Sequence, residues 1–182
     1  MEFEIVPPEQ ARALREAFIR HFIDTSTEHY QKHIATLIPC SGGDFYDGYL
    51  WECLKDNRNW RKECTMEAAA AFLRDKPDVF VMWDLFPQER IGSFALSSLG
   101  HPKDTVIRMP GRLLGQTVLE EWNGARAAWD AGFQYEGAWF PEDIYCFGAD
   151  MSWFVIFTHE GHDQWTDPEL DEDAYIRVCF RS

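Results

Sequence analysis

The sequence predicts a single α+β domain spanning residues 1–182, with N-terminal helices packed on a mainly antiparallel sheet formed largely by the C-terminal half. Two observations predict this class. Apolar residues recur at helical spacing in the first half, whereas apolar runs with strand-like alternation dominate the end of the chain. No repeat, low-complexity tract or linker divides the sequence. Segregated helices and strands are typical of α+β folds.

The first predicted helix covers residues 9–23, because Pro8 suits a first helical turn. Its apolar stripe is Ala11, Leu14, Phe18 and Phe22. A capping-box pattern at 25–28 predicts a second helix over 26–37, which ends before Pro39. The apolar stripe of that helix is Tyr30, Ile34, Leu37 and Ile38.

The middle of the chain predicts a short helix or turn at 49–54 and an Ala-rich helix at 65–74 that begins at an N-capping Thr65. The apolar run at 79–83 reads as an interior strand that ends at Asp84. Residues 89–97 are a candidate strand to pair with it. These elements place one central strand in the first half of the chain.

The second half predicts a helix over 111–129, a hairpin formed by 140–147 and 153–160, and a last strand over 174–181. The last strand alternates apolar and polar residues, which predicts one buried face and a position at a sheet edge. Trp153, Val155 and Phe157 are expected on one face of the second hairpin strand. Phe154, Ile156 and Thr158 are expected on the other.

The hairpin predicts a cluster of polar side chains at one rim of the sheet. Antiparallel pairing sets the start of one strand beside the end of the next. Glu142 and Asp143 should therefore lie near Thr158, His159 and Glu160. The functional interpretation is a ligand-binding or acid–base pair in which a carboxylate such as Asp143 orients His159. The alternative is a capped strand end, with His159 bonded to backbone and the acids solvated.

Aromatic residues beside carboxylates give further candidate binding positions. Asp44 precedes an aromatic stretch that includes Trp51, and Trp83 is followed by Asp84. Such pairs suit a cationic guest, although they also suit ordinary packing. The predicted binding residues are Asp44, Trp51, Trp83, Asp84, Glu142, Asp143, Trp153, His159 and Glu160.

The formal net charge of -14 disfavours nucleic acid and anionic membranes as partners and favours a basic protein or peptide. Solubility alone is the alternative reason for such a charge. The acidic N-terminus shows no secretory pattern, no apolar run is long enough to span a membrane, and the five cysteines include no Cys-x-x-Cys. We therefore expect a cytoplasmic protein.

An enzyme is the rival interpretation. Cys40 before Gly42 and Gly43, with His159 elsewhere, supplies the residue types of a cysteine hydrolase. His159 and His162, or His29 and His33 on one helix face, have spacings that suit a metal site. Phosphate-binding glycine motifs and Gly-x-Ser-x-Gly are absent. No catalytic residue, metal ligand or cofactor is assigned.

The block Phe140 to Tyr145, followed by Trp153 and by Thr158-His159-Glu160, resembles a pattern in small, uncharacterised bacterial proteins. That pattern is roughly Phe-Pro-Glu-Asp-x-Tyr-x-Phe-Asp, then Trp, then Thr-His-Glu, and Gly148 stands where its second Asp usually occurs. Some of these proteins resemble immunity proteins, the small acidic inhibitors of bacterial toxins. The resemblance implies an inhibitor role and assigns no residue to it. The charge, the aromatic–acid pairs and the lack of catalytic motifs predict a non-catalytic protein- or peptide-binding module.

Overall fold

The computed structural model describes residues 3–39, 44–55, 62–63, 65–85, 101–132, 143–158 and 177–181. The helices are α1 (Pro8–Phe22), α2 (Met66–Arg74) and α3 (Gly111–Asp130), with a π-helical turn at Tyr30–Ile34 and a 3-10 turn at Leu50–Cys53. The strands are β1 (Glu4–Ile5), β2 (Lys62–Glu63), β3 (Val79–Trp83), β4 (Ile107–Met109), β5 (Ile144–Phe147), β6 (Phe154–Thr158) and β7 (Arg177–Arg181). The predicted α+β class is confirmed.

The strands that the structure describes form one sheet in the order β1-β4-β3-β5-β6-β7-β2, and each neighbouring pair is antiparallel. The β5–β6 hairpin forms as predicted, with Ile144 opposite Phe157 and Phe147 opposite Phe154. β3 pairs with β5 on the other side, with Trp83 opposite Ile144. The centre of the sheet therefore joins a strand of the first half to the hairpin of the second.

Helix α1 covers one face of the sheet. Its predicted apolar stripe is buried, and Phe18 packs with ring-centroid distances of 5.1 Å to Phe147 and 5.6 Å to Tyr145. Side chains of alternate strand positions, including Phe80, Met82, Phe154 and Ile156, join the same cluster. Alternation along the strands thus assigns a defined set of residues to the α1 face.

Helices α2 and α3 cover the opposite face. Thr65 caps α2 as predicted, since its hydroxyl accepts a hydrogen bond from the Ala68 N–H at 3.2 Å. Gly115 of α3 lies so close to α2 that a Cβ there would be 2.4 Å from the carbonyl oxygen of Ala70. The resulting core contains Val81, Trp83, Trp153, Val155 and Phe157, among other residues of both helices and the sheet.

Three sequence-based expectations need correction. The second helix ends near Ile34 and not at residue 37. Leu37 and Ile38 therefore lie outside the predicted apolar stripe and are exposed. β7 is not an edge strand, since the two-residue β2 pairs with it. β1, β2 and β4 were not predicted because runs of two or three residues carry no readable periodicity. Residues 89–97 lie outside the described ranges.

Candidate functional site

The most polar part of the interior lies where β3 ends and β5 begins. Continuing the β3–β5 register by one residue sets Asp84 opposite Asp143. Both side chains lie on the α1 face. Asp84 is two residues after Met82 and Asp143 two residues before Tyr145, and both of these strand residues belong to the core on that face. They are only 4% and 2% exposed, respectively. Two carboxyl groups are thus buried on neighbouring strands.

Asp84 accepts hydrogen bonds from three donors. The Tyr46 hydroxyl and the Leu50 N–H donate to Asp84 Oδ1 at 2.6 and 3.2 Å. The Tyr145 hydroxyl donates to Asp84 Oδ2 at 2.5 Å. Tyr46 and Leu50 belong to the irregular segment 44–54, whereas Tyr145 belongs to β5. Asp84 therefore attaches this segment to the centre of the sheet.

Trp51 extends the same network. Its indole Nε1–H donates to Asp143 Oδ1 at 2.9 Å, and its backbone N–H donates to the Tyr145 hydroxyl at 3.1 Å. Trp51 is buried and belongs to the 3-10 turn. The tryptophan thus fixes segment 44–54 to the second carboxyl group.

Arg15 of α1 brings a positive charge to this region. Its Nη1 donates to the carbonyl oxygen of Trp83 at 3.0 Å, directly before Asp84. The side chain is 8% exposed, and its Nε and Nη2 have no hydrogen-bond partner in the part of the chain that the structure describes. We define the buried polar cluster as Arg15, Tyr46, Trp51, Asp84, Asp143 and Tyr145.

The environment changes the proton affinities of this cluster. Burial, followed by the nearby charge of Asp143, raises the pKa of Asp84 to about 7, although the hydrogen bonds that it accepts oppose the shift. Burial also raises the pKa of Tyr46 and of Tyr145 well above the ordinary value for tyrosine. Both tyrosines are therefore neutral hydroxyl donors near neutral pH, and Asp84 is the group that titrates there.

The structure places the predicted binding residues in different environments. Asp143 adjoins Thr158 in the continued hairpin register, as expected, and both are buried. Trp83 and Trp153 lie in the core on the opposite face, where Trp153 packs on Phe72. Because the two tryptophans, Trp51, Asp84 and Asp143 are interior, they do not form the exposed surface suggested by the sequence. Their assignment as binding residues stays a prediction.

Asp44 is exposed, as a surface role requires. Glu142, His159 and Glu160 lie outside the described residues, as do Cys40 and His162 of the hydrolase interpretation. The sequence did not predict Tyr46, Tyr145 and Arg15 as neighbours of the buried acids. No local pattern signals them, since a buried arginine in a helix and a tyrosine in a strand look like ordinary amphipathic positions.

In the His29–His33 pair, His29 is not available as a metal ligand. His29 Nδ1 lies 2.9 Å from Glu52 Oε2, and His29 Nε2 accepts the Tyr49 N–H at 3.3 Å. Both ring nitrogens are occupied, so His29 has no lone pair directed to a metal ion. Among the described residues, no group of three or more His, Cys, Asp or Glu side chains is arranged to hold a metal ion.

An exposed apolar site lies at the other end of segment 44–54. Leu37 and Ile38 are 48% and 46% exposed. They are the large hydrophobic residues of the described ranges whose side chains are exposed to solvent. Ile38 and Phe45 form an isolated backbone bridge, since the Ile38 N–H donates to the Phe45 carbonyl oxygen at 2.7 Å and the Phe45 N–H donates to the Ile38 carbonyl oxygen at 3.0 Å. We call Leu37, Ile38, Asp44, Phe45 and Asp47 the bridge loop surface.

One open groove of about 480 Å³ lies beside the C-terminal end of α1. Charged and apolar side chains mix along it, including Glu16, Arg20, Ile23, Tyr30 and Lys55. None of the predicted binding residues that the structure describes lines this groove.

The chain has no match among protein-family models, curated proteins or solved structures in three separate comparisons. The resemblance to immunity proteins accordingly stays a prediction. No helix in the described ranges is both long and apolar enough to cross a membrane.

Proposed function

We propose that this protein is a non-catalytic binding module that docks a basic protein or peptide on the bridge loop surface. The observation that carries the proposal is the exposure of Leu37 and Ile38 beside two exposed acids, Asp44 and Asp47. Adjacent exposed apolar side chains with a polar rim are typical of protein-interaction sites. A complementary partner would carry basic groups around an apolar contact, because the rim of this surface is acidic.

The bridge loop surface is held in place before a partner arrives. Beyond the Ile38–Phe45 bridge, the Tyr46 N–H donates to the Leu85 carbonyl at 2.8 Å, and the Asp47 N–H donates to the His33 carbonyl at 3.1 Å. These bonds anchor residues 45–47 to the segment that follows β3 and to the π-helical turn. A surface whose backbone is already held loses less conformational entropy on binding than a mobile one.

The overall charge supports the same class of partner. A net charge of -14 attracts basic proteins over a distance of about a Debye length, so association is expected to weaken as salt rises. Within this class, the resemblance to immunity proteins supports an inhibitor role. The partner would then be a basic enzyme domain whose activity the complex blocks.

The test begins with affinity capture at low salt and continues with purified basic candidates, including the products of neighbouring genes. Titration calorimetry then compares the wild type with Leu37→Ser/Ile38→Ser and with Asp44→Asn/Asp47→Asn. We expect the apolar double variant to weaken binding at least about tenfold, which is about 1.4 kcal/mol. The acid double variant should chiefly slow association and reduce the salt dependence.

A matched control is Glu67→Gln/Glu120→Gln, which removes two exposed acids on α2 and α3, on the far face of the sheet. It should bind like the wild type apart from a small loss of long-range attraction. Equal affinity of the wild type and the apolar double variant for a purified partner would refute the bridge loop surface as the docking site. Failure to capture any partner at low salt would count against a binding module.

A further inference from the structure

The open groove at the C-terminal end of α1 has a balanced charge in a strongly acidic protein. Its charged lining residues are two acids, Glu16 and Asp24, and two bases, Arg20 and Lys55. The chain as a whole carries a formal net charge of -14. Since each sign of charge in a ligand is repelled by half of this lining and attracted by the other half, the groove is complementary to a ligand that carries both signs.

Two of these four charged side chains are engaged by the protein itself. Lys55 Nζ donates to the carbonyl oxygens of Arg20 and His21 at 2.7 and 3.1 Å, at the end of α1. Asp24 Oδ1 accepts the Ser26 N–H at 2.9 Å and the Ser26 hydroxyl at 2.6 Å. Lys55 and Asp24 therefore fix the backbone at this end of the groove.

Glu16 and Arg20 carry the two charges that are open to a ligand. Both residues are exposed, and neither side chain forms an ion pair or a hydrogen bond with another residue in the described ranges. They are four positions apart on one face of α1, which separates them by about 6 Å along the helix axis. Ile19 lies between them on that face and also lines the groove. A negative and a positive group thus flank an apolar contact.

Tyr30 adds an aromatic ring and a hydroxyl group to the same groove. Its ring packs against the core on the α1 side, next to which the buried Ile23 also lines the groove. Burial, followed by the nearby Cys53 thiol, raises the pKa of Tyr30, so its hydroxyl stays protonated near neutral pH. That hydroxyl has no hydrogen-bond partner among the residues that the structure describes. It is therefore available to a ligand.

We propose that this groove binds an apolar dipeptide with both ends free. The ammonium group of the dipeptide pairs with Glu16, and its carboxylate pairs with Arg20. Its side chains pack on Ile19, Ile23 and Tyr30. An extended dipeptide spans about 7 Å, which matches the separation of the two charges along α1. The volume of about 480 Å³ lies within the range of about 300–1,000 Å³ for small-ligand sites. The inference does not depend on the bridge loop surface, which shares no residue with the groove.

Titration of the full chain with leucyl-leucine, followed by the backbone amide signals in NMR spectra, tests the proposal. We expect saturable shifts centred on residues 16–30 and Lys55, with a Kd of about 0.1–1 mM. Free leucine, which is half as long, should bind at least about fivefold more weakly. Absence of saturable shifts in the groove up to about 10 mM would overturn the proposal, as would saturation centred elsewhere or equal binding of free leucine.

Blocked dipeptides identify the two charge contacts. N-acetyl-leucyl-leucine lacks the ammonium group and leucyl-leucine amide lacks the carboxylate, so each should bind about three- to fivefold more weakly than leucyl-leucine. Glu16→Gln should weaken binding of leucyl-leucine by a similar factor and leave binding of the acetylated form unchanged. Arg20→Gln should act in the same way toward the amide. Equal affinity of the free and blocked forms would overturn the proposal, as would additive losses from a variant and the block that removes its partner.

Glu9→Gln/Arg12→Gln is the matched control for Glu16→Gln/Arg20→Gln, because each double variant removes one acid and one base from α1. Glu9 and Arg12 are exposed and do not line the groove. The control should bind leucyl-leucine like the wild type, whereas Glu16→Gln/Arg20→Gln should bind about tenfold more weakly. Equal losses in both double variants would show that the contacts are not local to the groove and would overturn the proposal.

Discussion

Asp84 and Asp143 face each other across β3 and β5, and both carboxyl groups lie beneath α1 and segment 44–54. The network around them ties four parts of the chain together: α1 through Arg15, segment 44–54 through Tyr46 and Trp51, and the two strands. Buried polar groups of this kind are stable only when their hydrogen bonds are made. The stability of the interior therefore depends on the protonation of Asp84 and on the hydroxyl groups that donate to it.

The first prediction concerns the pH dependence of stability. Burial, followed by the nearby Asp143, raises the pKa of Asp84 from its ordinary value of 3.8 to about 7 in the folded chain. Between these values the folded state binds more protons, so the free energy of unfolding falls as pH rises. Asp84→Asn removes this contribution, so its stability relative to the wild type should increase from about pH 4 to about pH 7 by up to about 4 kcal/mol.

Urea unfolding at several pH values across that window measures the difference. Glu120→Gln, an exposed substitution, is the control and should leave a nearly constant difference from the wild type. If the difference in the free energy of unfolding between Asp84→Asn and the wild type stays constant with pH, the pKa of Asp84 is not raised in the folded protein.

The second prediction ranks the two tyrosines. Tyr145→Phe removes the donor to Asp84 Oδ2 and the acceptor for the Trp51 N–H, so two buried groups lose a partner. Tyr46→Phe removes one donor to Asp84 Oδ1, which still accepts the Leu50 N–H. We expect Tyr145→Phe to cost about 2–4 kcal/mol, and Tyr46→Phe about half as much. Chemical unfolding at one pH gives the ranking, and the reverse order would contradict the network.

The third prediction concerns the contact between α2 and α3. In Gly115→Ala the new Cβ would meet the Ala70 carbonyl oxygen at 2.4 Å, which forces the helices apart. The expected loss is about 1–3 kcal/mol, although alanine is the better helix former. The exposed Gln116→Ala serves as the control and should change the free energy of unfolding by less than about 0.5 kcal/mol. A Gly115→Ala variant as stable as the wild type would refute the close approach.

The fourth prediction concerns the start of α2. Thr65→Ala removes the hydroxyl that accepts the Ala68 N–H, and it should destabilise the protein by about 1 kcal/mol. Thr65→Ser keeps an equivalent acceptor and should retain most of the stability. Thermal unfolding of the two variants separates the cap from other effects of the substitution. Equal losses in both would show that the hydroxyl is not responsible.

The sequence by itself determined the elements whose pattern is local. The apolar stripe of α1 has helical spacing, Thr65 caps α2, and the β5–β6 hairpin follows from two aromatic-rich apolar runs joined by a short turn. These patterns depend on neighbours within a few residues, so they are readable without knowledge of the rest of the chain. The hairpin register also brought Asp143 beside Thr158, as the sequence predicted.

Only the tertiary structure decided which distant residues meet. Pairing β3 with β5 set Asp84 against Asp143, and packing of segment 44–54 brought in Tyr46 and Trp51. Strand order and loop placement depend on burial summed over the whole core, which no local pattern encodes. The same is true of Leu37 and Ile38, whose apolar character predicted burial. The helical turn ends at Ile34, and Leu37 and Ile38 lie beyond it with their side chains exposed to solvent.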